Sequence, residues 1–218
     1  MNKLIVESHN DKFFIQRILK HLDVDSVDIS EPLCNIDEYI CLDGINNLKN
    51  KLRDLKLDDI DRLGIILDAD EVGITKRLEE INATFDELSV DVEFDSVNKF
   101  EYDSKLDLKV ACHILQVDGS GDLDVVIKHI ANSESTYADC LDSWRECIKE
   151  SGKQISDKNF LKFWINNYIR FDTCSPADQK QSFKKCSFQR AMQKDVWNLE
   201  HEVLDGLKQF LSLFGGKV

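Results

Sequence analysis

Four short apolar runs recur along the first two-thirds of the chain, and each leads into a stretch with helical spacing. "KLIVE" (3–7) precedes Asp11–Leu22, where Phe14, Ile15, Ile18, Leu19 and Leu22 share one side of a helix. "EYICLD" (38–43) stops at Gly44 and gives way to Ile45, Leu48, Leu52 and Leu55. "RLGIILD" (62–68) precedes Val72–Leu88, with Ile74, Leu78, Ile81, Phe85 and Leu88 on one face. "KVACHILQV" (109–117) is followed by a helix from about Leu123. Continuous apolar runs are strands covered on both faces, and a parallel pair needs a long crossover between its strands. The expected fold is therefore α/β, a mostly parallel sheet flanked by helices. Alternation at Val90, Val92 and Phe94 predicts one further short, half-exposed strand.

From about Ser133 the pattern becomes all-helical. Tyr137, Leu141, Trp144 and Ile148 form one stripe. Phe160, Trp164 and Tyr168 form a second, on a helix capped by Ser156 or Asp157, and Val196, Leu199, Val203, Leu207 and Phe210 form a third. "TCSP" (173–176) reads as a turn between them. The expected organisation is an α/β domain over residues 1–132 and a helical extension over 133–218 packed on it.

The strand ends carry acids. Glu7 ends the first run and Asp68 the third; Asp70 follows two residues on, and an extended backbone would point it to the same side as Asp68. Asp11, opening the first helix, can reach the same rim. In an open parallel sheet the ligand site lies beyond the carboxyl ends of the strands. Converging carboxylates repel one another unless a cation sits among them, and such oxygen donors suit Mg²⁺ or Mn²⁺. The alternative is that the polar residues after the strands cap the helices that follow, Asp70 for Val72–Leu88 and Asn10 for the first helix.

These residues resemble a known pattern. "LIVESHND" (4–11), Gly44 after the second strand and "GIILDADEVG" (64–73) are similar to the Toprim domain of topoisomerases, bacterial primases and OLD-family nucleases. Its signature of Glu, Gly and DxD falls on Glu7, Gly44 and Asp68/Asp70, with Gly73 as the glycine that often follows. The resemblance covers roughly residues 1–130 and implies a Toprim-like (Rossmann-like) sheet. It is strongest to small stand-alone bacterial Toprim proteins with a helical C-terminal part. Ser8 stands where many members have glycine. "VDGSGDLDVVI" (117–127) resembles the turn after the fourth strand, which would make Asp118 or Asp124 a further oxygen ligand; Asp122 and Asp124 read equally well as first-turn helix acids.

The resemblance implies Mg²⁺- or Mn²⁺-dependent phosphodiester cleavage. Asp68 and Asp70 would hold metal with Glu7, and Glu7 would act either as ligand or as general acid–base. Tyr39, Tyr102, Tyr137 and Tyr168 are the only tyrosines, none placed like a topoisomerase nucleophile. That leaves a nuclease-type activity on nucleic acid, DNA before RNA, in defence or repair. The rival readings are a catalytically weak metal- or nucleotide-binding module and a subunit of a larger complex. No GxxxxGK[ST] occurs, so an ATPase would have to be a separate partner.

The net charge of −13 excludes bulk electrostatic coating of nucleic acid but not a local basic patch. One window qualifies. Residues 179–194, "QKQSFKKCSFQRAMQK", contain Lys180, Lys184, Lys185, Arg190 and Lys194 and no acid. Phe183 and Phe188 can stack on bases there, or form the core face of a helix whose lysines face water. Seven cysteines without a CxxC pair suggest reduced thiols, with Cys140 and Cys147 as small buried hydrophobes on one helix face. No apolar run approaches the roughly 18 residues of a membrane span, so a soluble, cytoplasmic protein is expected. His9 and His113 are read as hydrogen-bonding residues outside the site.

Overall fold

The computed structural model describes residues 1–25, 36–132 and 134–215; Ser133, where the helical part is expected to begin, lies outside them. In chain order the strands are β1 (Asn2–Val6), β2 (Glu38–Cys41), β3 (Arg62–Asp68), β4 (Phe100–Asp103) and β5 (Leu108–Leu115). Three helices lie between them: α1 (His9–Asp25), α2 (Leu48–Asp54) and α3 (Gly73–Glu87). After β5 come α4 (Leu123–Ile130), α5 (Thr136–Asp139), α6 (Leu141–Glu150), α7 (Asp157–Phe171), α8 (Pro176–Gln179), α9 (Ser182–Lys185), α10 (Phe188–Met192) and α11 (Asp205–Ser212). None of the described helices is long and apolar enough to cross a membrane.

The chain divides into two compact units, Met1–Leu123 together with Glu202–Val218, and Asp124–His201. The first holds a five-stranded sheet in the order β2-β1-β3-β5-β4, parallel except for β4, which runs antiparallel to β5. The chain steps from β1 outward to β2, then back past β1 to β3. Right-handed crossovers in opposite directions put their helices on opposite faces. Accordingly Leu48 and Leu52 of α2 share a core with Ile5, Leu63, Ile65, Leu67, Ile81 and Phe85, and this core does not include Phe14, Ile15 or Ile18 of α1.

Gly64 sits on the other face, opposite Leu4 in register. A Cβ there would lie 2.5 Å from Leu4 Cδ1, 2.8 Å from Phe214 Cζ and 3.1 Å from Phe210 Cζ. The glycine in an otherwise branched strand is thus where α11 and its trailing Phe214 press onto the sheet. Nearby, His113 is buried, its Nδ1 2.8 Å from Asn98 Oδ1, while Asn98 donates to Gly206 O at 3.1 Å. Burial lowers the His113 pKa to about 4.

The expected strand at Val90–Phe94 is absent, although its alternation is real: Val90, Val92 and Phe94 are buried and Asp91 and Glu93 exposed. Side chains replace ladder partners. Asn82 Oδ1 accepts from Phe94 N at 2.8 Å, its Nδ2 donates to Phe94 O at 2.9 Å, and Asp103 Oδ2 accepts from Asp91 N at 2.8 Å. The strand that does pair, β4, reads "FEYD" and carries two acids in four residues.

In the second unit α7 begins at its Ser156 cap, whose side chain accepts from Asn159 N, and buries Phe160, Trp164 and Tyr168. Two expected stripes come apart. Tyr137 and Trp144 are exposed, and Val196–Phe210 is broken by an irregular stretch and a short 3₁₀ turn at Glu202–Leu204 before α11.

Candidate functional site: a carboxylate cluster at the strand ends

The step from β1 to either side leaves a switch point between β1 and β3, the place where open α/β sheets bind ligands. Glu7 directly follows β1 and Asp68 ends β3, so the two acids straddle it. They are joined: Glu7 Oε2 accepts from Asp68 N at 2.6 Å. Asp68 Oδ1 in turn accepts from Leu123 N, the first residue of α4, at 3.2 Å. Each carboxylate therefore spends one oxygen on a backbone donor, and the other has no hydrogen bond among the described residues.

Asp11 is buried and tied down locally. Its Oδ2 accepts from Ser8 N at 2.9 Å and from Ser8 Oγ at 2.6 Å, and Ser8 Oγ lies 3.2 Å from Asn10 N. This reciprocal arrangement is a capping box at the head of α1. Ser8, not Asn10, is the cap.

Asp70 departs from expectation. Its φ of 47° breaks the extended path on which it would follow Asp68. Its backbone instead bridges Gly121, with N–H···O distances of 2.7 and 2.8 Å. Its Oδ2 meets Arg77 Nη2 at 2.6 Å. Gly73, at φ 79°, lets the loop after β3 come so near the loop after β5 that a Cβ there would sit 3.3 Å from Gly119 O.

Arg77 had no signal beyond a place in the third helical run. It is buried on α3, with Nε donating to Asp68 O at 2.8 Å, Nη1 to Glu80 at 2.7 Å and Nη2 to Asp70. All three guanidinium nitrogens are committed, so Arg77 braces the loop that carries Asp70.

The acids act on one another. Burial, with the Asp11, Glu7, Asp122 and Asp70 charges, pushes Asp68 up to about 9. Burial also raises Glu7, against the pull of the Asp68 N–H. Asp11 is raised chiefly by burial, partly offset by its bonds to Ser8, with a contribution from Asp122. Asp122, buried just before α4, is thus the acid of the 117–127 turn that joins the cluster electrostatically. Asp118 is exposed in that turn, at φ 52°, and Asp124 is a half-buried first-turn residue of α4, in the second unit. Among the described residues, no three His, Cys, Asp or Glu side chains are arranged to close around one metal ion.

A family profile described as "Protein of unknown function (DUF3226)" matches residues 1–215. The chain belongs to the DUF3226 family. No curated protein and no solved structure matches it.

The basic window of this DUF3226 protein lies within its second unit and is split among three short helices. Lys180 is the C-cap of α8, Lys184 and Lys185 lie on α9, and Arg190 is exposed on α10. Lys194 is taken up internally, its Nζ bonded to Thr173 O. Phe183 is 97% exposed and Phe188 half-buried, so the pair does not form a helix core face. Cys174 and Cys186 are joined by a disulfide, with Cα atoms 5.9 Å apart, against the expectation of reduced thiols throughout. Cys140 and Cys147 are free and exposed instead of buried.

Proposed function

We propose that this DUF3226 protein is a Toprim-type, Mg²⁺- or Mn²⁺-dependent phosphodiesterase that cleaves nucleic acid. The observation that carries the reading is the junction of Glu7 and Asp68 across the switch point, inside a cluster of five acids braced by one buried arginine. Such a cluster has one cation, Arg77, against five acids, and that shortfall of positive charge favours a bound cation. Mg²⁺ needs no closed protein cage: it takes one or two carboxylates and fills its octahedron with waters and substrate phosphates. The free oxygens of Glu7 and Asp68 fit that demand as the first pair of ligands. When bound, the ion would polarise a phosphodiester and acidify a water.

The chain's own residues divide the remaining work. Arg77 holds Asp70 at the edge of the cluster, so that Asp70 tunes the charge there more than it binds directly. Asp11, locked by Ser8, adds negative potential from a fixed position. Glu7, in the loop directly after β1, has one oxygen left to use, and it serves either as that ligand or, with Asp68 alone on the ion, as acceptor of a proton from the attacking water.

The test is nicking of supercoiled plasmid and cleavage of single-stranded DNA with each metal, wild type beside Asp68→Asn. Loss of cleavage in the mutant with an unchanged circular-dichroism spectrum supports the reading; equal cleavage by both proteins refutes it. The second reading, a binding module without turnover, is favoured by the engagement of Asp70 with Arg77 and of Asp11 with Ser8. It predicts calorimetric Mn²⁺ binding to the wild type with no cleavage of either substrate.

A further inference from the structure

The loop between Cys174 and Cys186 has no apolar anchor of its own. It consists of α8 and α9, four residues each, and neither buries a residue. Helices this short do not persist alone in water. The loop is instead held by its disulfide, by the Ser175 cap on Asp178 N at 3.2 Å, and by Gln179 Nε2 donating to Cys174 O at 3.1 Å.

On this fixed loop the largest side chain points outward. Phe183 is 97% exposed and forgoes the stabilisation that burying a ring gives. Lys184 and Lys185 follow it in sequence and Lys180 lies three residues before it, and none of the three lysines makes an ion pair among the described residues. The single acid of the loop, Asp178, is engaged by Ser175 Oγ at 2.9 Å. An aromatic face framed by unpaired cations, presented in a protein of net charge −13, is complementary to a strand whose bases are unstacked and whose phosphates are close by. A duplex offers the phosphates but keeps its base faces covered.

We propose that the Cys174–Cys186 loop is a contact for single-stranded nucleic acid, with Phe183 stacking on a base and Lys180, Lys184 and Lys185 pairing with the flanking phosphates. The disulfide supplies the rigidity, so that little freedom remains to be lost on binding. This rests on the nucleic-acid reading above but requires no cleavage.

The experiment is fluorescence anisotropy of labelled oligo-dT, and of a duplex of the same length, with the full chain in EDTA at low salt. Phe183→Ala should weaken oligo-dT binding about tenfold and leave duplex binding unchanged. Lys180→Ala/Lys184→Ala/Lys185→Ala should weaken both and flatten the salt dependence. Cys174→Ser/Cys186→Ser should weaken oligo-dT binding several-fold with helix content unchanged. No oligo-dT binding by the wild type, or equal binding by Phe183→Ala, overturns the proposal; equal binding by the cysteine variant overturns the part given to the disulfide. A parallel cleavage assay of the wild type with Mg²⁺ separates the two readings: absence of cleavage refutes the nuclease and leaves the Phe183 result in EDTA unaltered.

Discussion

Glu7 and Asp68 meet through a backbone donor, the carboxylate of one accepting the N–H of the other at 2.6 Å. The bond couples the ends of adjacent parallel strands and also brings two carboxyl groups together, so the metal-free fold must either hold a proton on Asp68 or face like charges. Neutralising one should therefore help the metal-free fold even as it harms the site. Asp68→Asn is expected to raise the melting temperature in EDTA and, on the proposed function, to show none of the further rise expected of the wild type with Mn²⁺. Scanning fluorimetry with and without metal reads both effects, and a lowered melting temperature in EDTA would contradict the repulsion argument.

Arg77 is a buried cation serving two acids and a carbonyl. Arg77→Met keeps the apolar stem and leaves Asp70, Glu80 and the Asp68 carbonyl without their donor. Because Asp70 and Glu80 are about one-third exposed, the cost should sit below that of a fully buried pair, about 2 kcal/mol. The urea midpoint measures it, and a change within error would mean that water replaces the guanidinium.

Gly64 is a steric requirement. Gly64→Ala places a methyl among Leu4, Phe210 and Phe214, all buried, and should cost about 1–3 kcal/mol. Phe214→Leu combined with Gly64→Ala should recover part of the loss; additive losses would show that the ring is not what the methyl meets.

His113 gives a pH dependence of known sign. Its folded pKa of about 4 lies below the ordinary value, so the unfolded chain binds the proton more readily. The stability tied to a neutral His113 is complete above the unfolded pKa of about 6.5 and is lost as pH falls toward 4, by about 3 kcal/mol. Asp68 acts in the opposite direction: its folded pKa of about 9 makes metal-free stability rise as pH falls from 9. Denaturant midpoints in EDTA should therefore rise from alkaline to neutral pH and level off below about 6.5, where the two slopes offset each other; in His113→Gln the rise should continue toward lower pH.

Ser8 closes the capping box at the head of α1. Ser8→Ala removes a hydroxyl that serves both the helix and the buried Asp11, and should cost about 1 kcal/mol in thermal or urea unfolding.

The sheet could be read from sequence because its evidence is local: "RLGIILD" is β3 residue for residue, and Glu7 and Asp68 are visible as acids where apolar runs stop. What depends on distant docking was hidden. "VDVEF" has the burial pattern of a strand without the ladder, because Asn82, on a different element, supplies the bonds. Asp70 left its expected side because a bridge to Gly121 fixes its φ, and Arg77 matters only once α3 lies back across the end of β3. In the 117–127 turn, spacing alone could not choose among Asp118, Asp122 and Asp124, since positive-φ residues at Asp118, Gly119 and Gly121 set which one turns inward.

Phe210 and Phe214 cover Gly64 from the far end of the chain. On a ribosome, all five strands emerge long before the residues that seal this face. The unit that begins first is therefore finished last, and until then Leu4 and the Gly64 side of β3 stay open to water or to a chaperone. A nascent chain stalled before Phe210 should be cut by protease at the sheet, and one released past Phe214 should resist.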